Sequence, residues 1–507
     1  MAQIKVTGLT FGYEGSPENI FENVSFGIDT DWKLGFIGRN GKGKTTFLRL
    51  LLGELEYQGS IVTDACFDYF PFRLPEGADG IQTTDVIEAV HPDYELWKIC
   101  RELELLQTDP EVLFRPFGTL SHGERTKVLL AVLFSRDNYF LLIDEPTNHL
   151  DAPTREVVRD YLNRKKGFIL VSHDRWLLDG CIDHVLVLER SQIEVGRGNF
   201  TTWQENKERR DQYEQSQNEK LKREIGKLRA AAERTSRWAD KAESSKIGFD
   251  PVKDPGHGGK RAYIGEKSRK MQQRRKNLER RQQEAVGEKE GLLRNVEETV
   301  KLRLEPLVHY KEVLIRAEGL SLYYDDAHRL LQDFDLELRR GERMILQGRN
   351  GCGKTTLIRA VQQAAGYMTE ENNVLHQAGT LWTAAAMRIS YINQDTSHLY
   401  GELRDYIARN GLNESLFKAV LRQIGLEREQ FARRLEEYSE GQKKKVLIAT
   451  SLITPAHLYI WDELLNYIDV FARGQIEDLI LQYQPTMLIV EHDRAFAKKC
   501  GTRIVQL

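Results

Sequence analysis

The nine residues GRNGKGKTT (Gly38 to Thr46) return almost unchanged as GRNGCGKTT (Gly348 to Thr356), 310 residues further along a chain of 507. Three more segments return in the same order. LSHGERTKVLLA from Leu120 recurs as YSEGQKKKVLIA from Tyr438 at an offset of 318, and FLLIDEPTNHLD (Phe140 to Asp151) recurs as LYIWDELLNYID (Leu458 to Asp469), again at 318. LVSHDR recurs as IVEHDR at 319. A nearly constant offset through four segments means one domain plan used twice, which excludes a single core and predicts two similar α/β domains. The division expected is 1–200 and 312–507 for the copies, with 201–311 belonging to neither.

Each glycine-rich segment is a G-x-x-x-x-G-K-T octet that follows an apolar strand, LGFI before Gly38 and MILQ before Gly348, and opens an apolar helix. In that setting the glycines curl the backbone so that N–H groups face phosphate oxygens, and the lysine adds charge at the outer phosphates. The nucleotide-binding candidates are therefore Gly38, Asn40, Gly41, Gly43, Lys44, Thr45 and Thr46, with Gly348, Asn350, Gly351, Gly353, Lys354, Thr355 and Thr356 in the second copy. Thr45 and Thr355 are candidates for holding magnesium beside ATP. The apolar runs ending in Asp144-Glu145 and Asp462-Glu463 put paired carboxylates at a strand end. Asp144 and Asp462 suit a divalent cation, while Glu145 and Glu463 suit orienting water, because phosphoryl transfer depends chiefly on positioning and charge. His173 and His492 each follow another apolar strand and precede an aspartate, and their matching places favour a γ-phosphate contact over a purely structural role.

SHGE and SEGQ are both S-x-x-E/Q before an apolar helix, a capping-box pattern that marks Ser121 and Ser439 as helix caps. Asp144 and Asp462 each lie 23 residues past that serine. Together these motifs resemble the Walker A, signature, Walker B and switch-histidine motifs of ABC ATPases, over nearly all of both copies. The resemblance implies a fold of two tandem P-loop nucleotide-binding domains that close head to tail. One ATP site would then combine Gly38 to Thr45, Asp144, Glu145 and His173 with Ser439 and Gly441. The other would combine Gly348 to Thr355, Asp462, Glu463 and His492 with Ser121 and Gly123. Tyr13 and Tyr324 correspond to the family's adenine-stacking aromatic, and Gln394 in YINQD to a magnesium-ligating glutamine. The first copy has Phe72 at the glutamine position, and Leu464 and Tyr467 replace a usual proline and histidine in the second, so the two sites are expected to hydrolyse unequally.

Residues 201–311 read as an α-helical hairpin linker. Leu221, Ile225, Leu228 and Ala232 make a narrow apolar stripe; Met271, Leu278, Ala285 and Leu292 recur every seven residues; a Gly/Pro-rich tip lies at about 244–263. The net charge of −3 hides a local concentration: residues 221–280 hold 18 Lys and Arg against 8 Asp and Glu. Basic helices neutralise RNA phosphates, and aromatics or arginines near a tip stack on unpaired bases, so Trp238, Phe249, Lys253, Lys260, Arg261 and Tyr263 are the RNA-contact candidates. No apolar run approaches the roughly 18 residues of a membrane span. The N-terminus lacks a secretory pattern, so a cytoplasmic location is expected. Five scattered cysteines without a C-x-x-C pair argue against zinc and disulfides.

Two fused nucleotide domains around a charged helical linker resemble the ABC-F subfamily. TKVLLAVLF, FLLIDEPTNHLD, YIWDE and VEHDRAF are similar to its Lsa-type antibiotic-resistance group, as is the absence of an extra arm between Phe72 and Ser121. That resemblance implies a monomer that enters the ribosomal exit-tRNA site, meets ribosomal RNA and P-site tRNA, and counters lincosamides, streptogramin A and pleuromutilins. A general ABC-F translation factor is the alternative. A transporter ATPase subunit would need a membrane partner, and a DNA-repair ATPase would bring a zinc-type cysteine pair and a very long coiled coil.

Overall fold

A computed structural model describes residues 3–13, 19–137, 139–148, 150–189, 191–244, 306–325, 328–367, 376–393 and 395–507. For helical residues 215, 228, 229 and 231–244, and strand residues 325, 328 and 329, the backbone alone is described. The chain forms two compact units, residues 1–203 with 300–507 and residues 204–299. Both motif copies lie in the first unit.

In the first copy, strand β1 (Gln3–Phe11) pairs antiparallel with β2 (Phe21–Asp29) and β4 (Gln58–Val62). A second sheet has the order β5 (Cys66–Phe70), β6 (Tyr139–Asp144), β7 (Phe168–Val171), β3 (Lys33–Gly38), β8 (His184–Glu189) and β9 (Gln192–Arg197). Its strands are parallel except for the β8–β9 pair. The apolar run Phe168–Val171 is buried at every position, as a parallel strand covered on both faces must be. Adjacent parallel strands end on the same edge, so the loops after β3, β6 and β7 bring Gly38, Asp144 and His173 together. Helix α1 (Lys44–Leu51) leaves β3 through the glycine-rich turn, and its Phe47 and Leu48 enter the core between the two sheets.

The second copy repeats this plan. β10 (Val313–Asp325) lies between β11 (His328–Arg339) and β13 (His376–Thr383), and the parallel sheet runs β14 (Ile389–Ile392), β15 (Leu458–Asp462), β16 (Met487–Val490), β12 (Arg343–Gln347) and β17 (Arg503–Gln506). Both capping boxes read from the sequence are formed. Ser121 accepts from Glu124 N–H ahead of the helix His122–Ser135, and Ser439 accepts from Gln442 N–H ahead of Glu440–Ile453, each with its reciprocal bond. Such a box contributes about 1 kcal/mol and fixes where the helix starts. The copies share core as well as edge, since Val470 of the second is buried in the apolar cluster of the first and Trp203 meets Phe471 edge-on at 5.9 Å.

The second unit is described as far as Ser244. A single helix runs Phe200–Ser244, with exposed ion pairs one turn apart, Arg209–Glu205 at 3.7 Å and Arg223–Glu219 at 3.4 Å. The expected tip, the heptad positions Met271 to Leu292, and Phe249, Lys253, Lys260, Arg261 and Tyr263 lie outside the described residues, as does the side chain of Trp238. Among the described residues, no helix is long and apolar enough to cross a membrane, and no cluster of His, Cys, Asp or Glu suits a metal on its own. Cys181 and Cys500 are buried packing residues, whereas Cys66 is exposed.

Candidate functional site

The two glycine-rich loops adopt one conformation. Gly43 (φ 106°) and Gly353 (φ 99°) cap their helices in the left-handed region, and a Cβ on Gly43 would strike Ile20 at 2.3 Å. Only glycine fits there. Lys44 Nζ donates to the carbonyls of Gly38 (2.7 Å) and Arg39 (3.2 Å), and Lys354 Nζ donates to those of Gly348 and Arg349, both at 2.9 Å. Each lysine is therefore folded over its own loop, inside the ring of backbone N–H groups that would cradle phosphate.

Thr45 donates to Asp144 Oδ2 at 2.8 Å and Thr355 to Asp462 Oδ2 at 2.9 Å. Asp462 Oδ1 is buried and accepts no hydrogen bond. A hydroxyl beside a carboxylate with an unused oxygen is a hard-oxygen donor set that fits magnesium. Gln394 lies outside the described residues, while Phe72 packs half-buried against the first copy's core.

Glu145 (φ 52°) and Glu463 (φ 48°) both occupy the left-handed region, uncommon for a side-chain-bearing residue. Each is pinned by its own N–H, to Val171 O at 2.8 Å and to Val490 O at 3.0 Å. The two carboxyls then diverge. Burial, together with the charge of Asp144, pushes Glu145 up to about 8 against the opposing Lys44. Burial also raises Glu463, but the His492 hydrogen bond (3.3 Å) and the charges of Lys354 and Arg155 outweigh it and leave that carboxyl below its ordinary value. Burial, with Lys44 and Arg473 nearby, drives His173 well below its usual range. His173 Nε2 lies 3.2 Å from Glu145 Oε1 and meets Asn40 Oδ1 at 2.8 Å.

The copies meet head to tail at these loops. Asn40 Nδ2 donates to Tyr467 O at 2.5 Å, and Asn40 N–H reaches Asp469 Oδ2 at 3.4 Å. A Cβ on Gly441 would lie 3.1 Å from Asn40 Nδ2, so the second signature segment abuts the first glycine-rich loop. In the mirror position, the Asn350 N–H bonds to Asp151. Ser121 and Ser439 are engaged in their capping boxes, and a Cβ on Gly123 would meet Thr154 at 3.4 Å. Tyr13, just under half exposed, reaches Thr46 Oγ1 at 3.1 Å; Tyr324 OH accepts from Arg359 at 3.5 Å.

Several residues at the site were not picked out from the sequence. Tyr69 donates to Asp144 Oδ2 at 3.2 Å, and burial with the Asp462 charge pushes its counterpart Tyr391 up to about 12. Arg155 bonds Asp174 at 3.4 Å in its own copy and Asn466 at 3.4 Å in the other. Arg473 bonds Asp493 at 2.9 Å. The repeat itself held the signal: Tyr69/Tyr391, Asp151/Asp469 and Arg155/Arg473 all recur in register with the motifs.

The family described as ABC transporter matches residues 21–148 and 331–466, slightly more than half of the chain. Ribosome protection protein VmlR of Bacillus subtilis (strain 168) is 26% identical over 502 residues, spanning 97% of this chain and 85% of its own length. ATP-binding protein Uup of Escherichia coli (strain K12) is 24% identical over 555 residues, 99% of this chain and 80% of its own. The solved structure of the archaeal ribosome recycling factor aABCE1, in complex with the ribosomal stalk protein aP1, shares the fold with a TM-score of 0.59 at 18% identity, covering 98% of this chain and 87% of that one.

Proposed function

The chain belongs to the ABC transporter family and is an ATPase, and on that premise we propose that it is an ABC-F protein acting on the ribosome, as an ATP-dependent protection factor against peptidyl-transferase-centre antibiotics. ATP held between one copy's glycine-rich loop and the other's signature segment closes the pair. Closure fixes the inserted segment 201–311 in its bound orientation at the exit-tRNA site, and hydrolysis releases it. The observation that carries this reading is the seam through the first site, where Gly441, Tyr467 and Asp469 all bear on Asn40. Any shift of that loop is felt at once by the opposite copy.

Within each site, Lys44 and Lys354 would turn to the outer phosphates, and Glu145 and Glu463 would orient the attacking water. His173 and His492 would meet the γ-phosphate. Thr45 with Asp144, and Thr355 with Asp462, would hold magnesium, joined in the second copy by Gln394. Magnesium there supplies neutralisation of phosphate charge. Tyr13 and Tyr324 would stack on adenine.

The ribosome as target is supported by likeness along 97% of the chain to a ribosome protection protein, and by the basic excess in residues 221–280, which suits RNA phosphates. Lincosamides, streptogramin A and pleuromutilins are the drug classes proposed. A Glu145→Gln, Glu463→Gln variant given ATP should co-sediment with ribosomes, and recovery free of ribosomes would sink the reading. Expression in a sensitive strain should raise inhibitory concentrations of those drugs; ribosome trapping without any such rise would point to a general translation factor.

A further inference from the structure

Four of the positions at which the second copy departs from the first lie around Glu463, the glutamate read as orienting water. Pro146 and Thr147 of the first copy become Leu464 and Leu465, Ser172 becomes Glu491, and Thr126 becomes Lys444. These departures meet in space. Lys444 and Glu491 are 4% and 3% exposed, although each carries an ionisable side chain. Lys444 Nζ donates to the carbonyl of Glu463 at 3.4 Å, and Glu491 Oε1 accepts the N–H of Leu465 at 2.8 Å. The peptide segment that follows the strained Glu463 is therefore gripped from both sides, by a lysine amine at its start and a glutamate side chain two residues on.

The first copy solves the same problem differently. Its Glu145 carbonyl accepts from the Asn148 N–H at 3.5 Å, a turn closed within the backbone, and Pro146 fixes φ directly after the glutamate. Leu464 has no such restriction. A left-handed residue that carries a side chain is strained and persists only where its surroundings over-determine it. Leu464 and Leu465 supply apolar burial but no direction, whereas a hydrogen bond from each side does supply it.

We propose that Lys444 and Glu491 are positioning residues for Glu463, holding in the second copy the turn that proline and backbone closure hold in the first. This rests on the reading of Glu463 as the group that orients water. Lys444 extends the effect further, since its ammonium lies 5.2 Å from the Tyr467 ring centroid and the Tyr467 carbonyl is bound to Asn40.

The test is single-turnover cleavage of ATP by the full chain in a Glu145→Gln background, which leaves the second copy as the cleaving site. Lys444→Met and Glu491→Leu should each slow cleavage about tenfold or more, because small misplacements of a catalytic group cost that much, with ATP affinity changed less than about twofold. Glu491→Gln, whose amide oxygen still accepts the Leu465 N–H, should stay within about threefold of its parent. Combining Lys444→Thr, Leu464→Pro, Leu465→Thr and Glu491→Ser installs the first copy's solution and should recover cleavage to within about threefold. Unchanged cleavage in either single variant, Glu491→Gln as damaging as Glu491→Leu, or weakened ATP affinity at full cleavage rate would overturn the proposal. Glu463→Gln in the same background is the separate control: if it cleaves normally, the reading of Glu463 fails instead.

Discussion

At Gly441 there is room for a hydrogen and nothing larger, since a Cβ would lie 2.7 Å from Tyr467 O and 3.1 Å from Asn40 Nδ2. The equivalent Cβ on Gly123 would make an ordinary 3.4 Å contact with Thr154. Overpacking costs about 1–3 kcal/mol, so Gly441→Ala should lower ATP turnover about tenfold while Gly123→Ala lowers it less than about threefold; equal effects in a steady-state assay would contradict the seam. Asp469 supplies a pH test. Burial alone would raise its carboxyl, but Lys445, bound at 2.9 Å with both side chains 2% exposed, holds it well below its ordinary value. A carboxyl depressed on folding adds stability that is complete above its unfolded value near 4 and is lost as pH falls through the folded value. Asp469→Asn leaves Lys445 buried without its countercharge, a loss of about 3–5 kcal/mol at neutral pH. The gap in melting temperature from the parent should therefore be constant from pH 7 down to about pH 4 and close progressively as pH falls further toward the depressed folded value; a gap independent of pH would remove the ion pair as its cause. The sequence exposed Gly441 as a motif glycine. What it could not show was which atoms crowd it, because they belong to a loop 401 residues away on the one side and to the second copy's own turn on the other.

Among elements, the copies share a fold but not all of the bonds that join them. The helix Arg175–Cys181 of the first copy sends Arg175 to Glu477 at 3.1 Å and to the Val470 carbonyl at 3.0 Å, both on the helix Val470–Tyr483 of the second. In the mirror position Arg494 meets Glu156 at 3.2 Å on the surface and stacks over Trp176 at 5.0 Å, while Arg159 stands where Glu477 would be. Breaking a buried pair by removing one partner costs about 3–5 kcal/mol, whereas an exposed pair contributes about 0–1. Glu477→Leu should accordingly lower the melting temperature by several degrees and Glu156→Leu by almost none; the reverse order in a thermal scan would refute this assignment. Element boundaries were legible because their causes are local. A serine with Glu or Gln three residues on starts a helix, and an unbroken apolar run such as Phe168–Val171 builds a buried parallel strand. Phe72 was legible as a departure, but its packing against the first copy's core was not, since that contact needs the helices beyond it.

For the whole molecule, two sites built on one plan should not turn over alike. Phenylalanine at position 72 can neither ligate magnesium nor position water, whereas the second copy has Gln394 in the equivalent place. Glu463→Gln should therefore remove more of the steady-state ATP turnover than Glu145→Gln, and equal losses would mean that the glutamine position is immaterial. By itself the sequence determined the duplication, the glycine-rich turns, the strand ends that carry Asp144-Glu145 and Asp462-Glu463, and the caps at Ser121 and Ser439. All of these follow from short-range causes: glycine's freedom at positive φ, the burial of apolar runs, and side chains that satisfy nearby N–H groups. Only the tertiary structure decided that Asn40 meets Tyr467 and Asp469, that Arg155 reaches Asn466, and that Lys444 and Glu491 grip the turn after Glu463. Those contacts depend on how strands are ordered in a sheet and how two folded copies dock, and no local pattern in a chain encodes the distance between surfaces that meet only after both have formed.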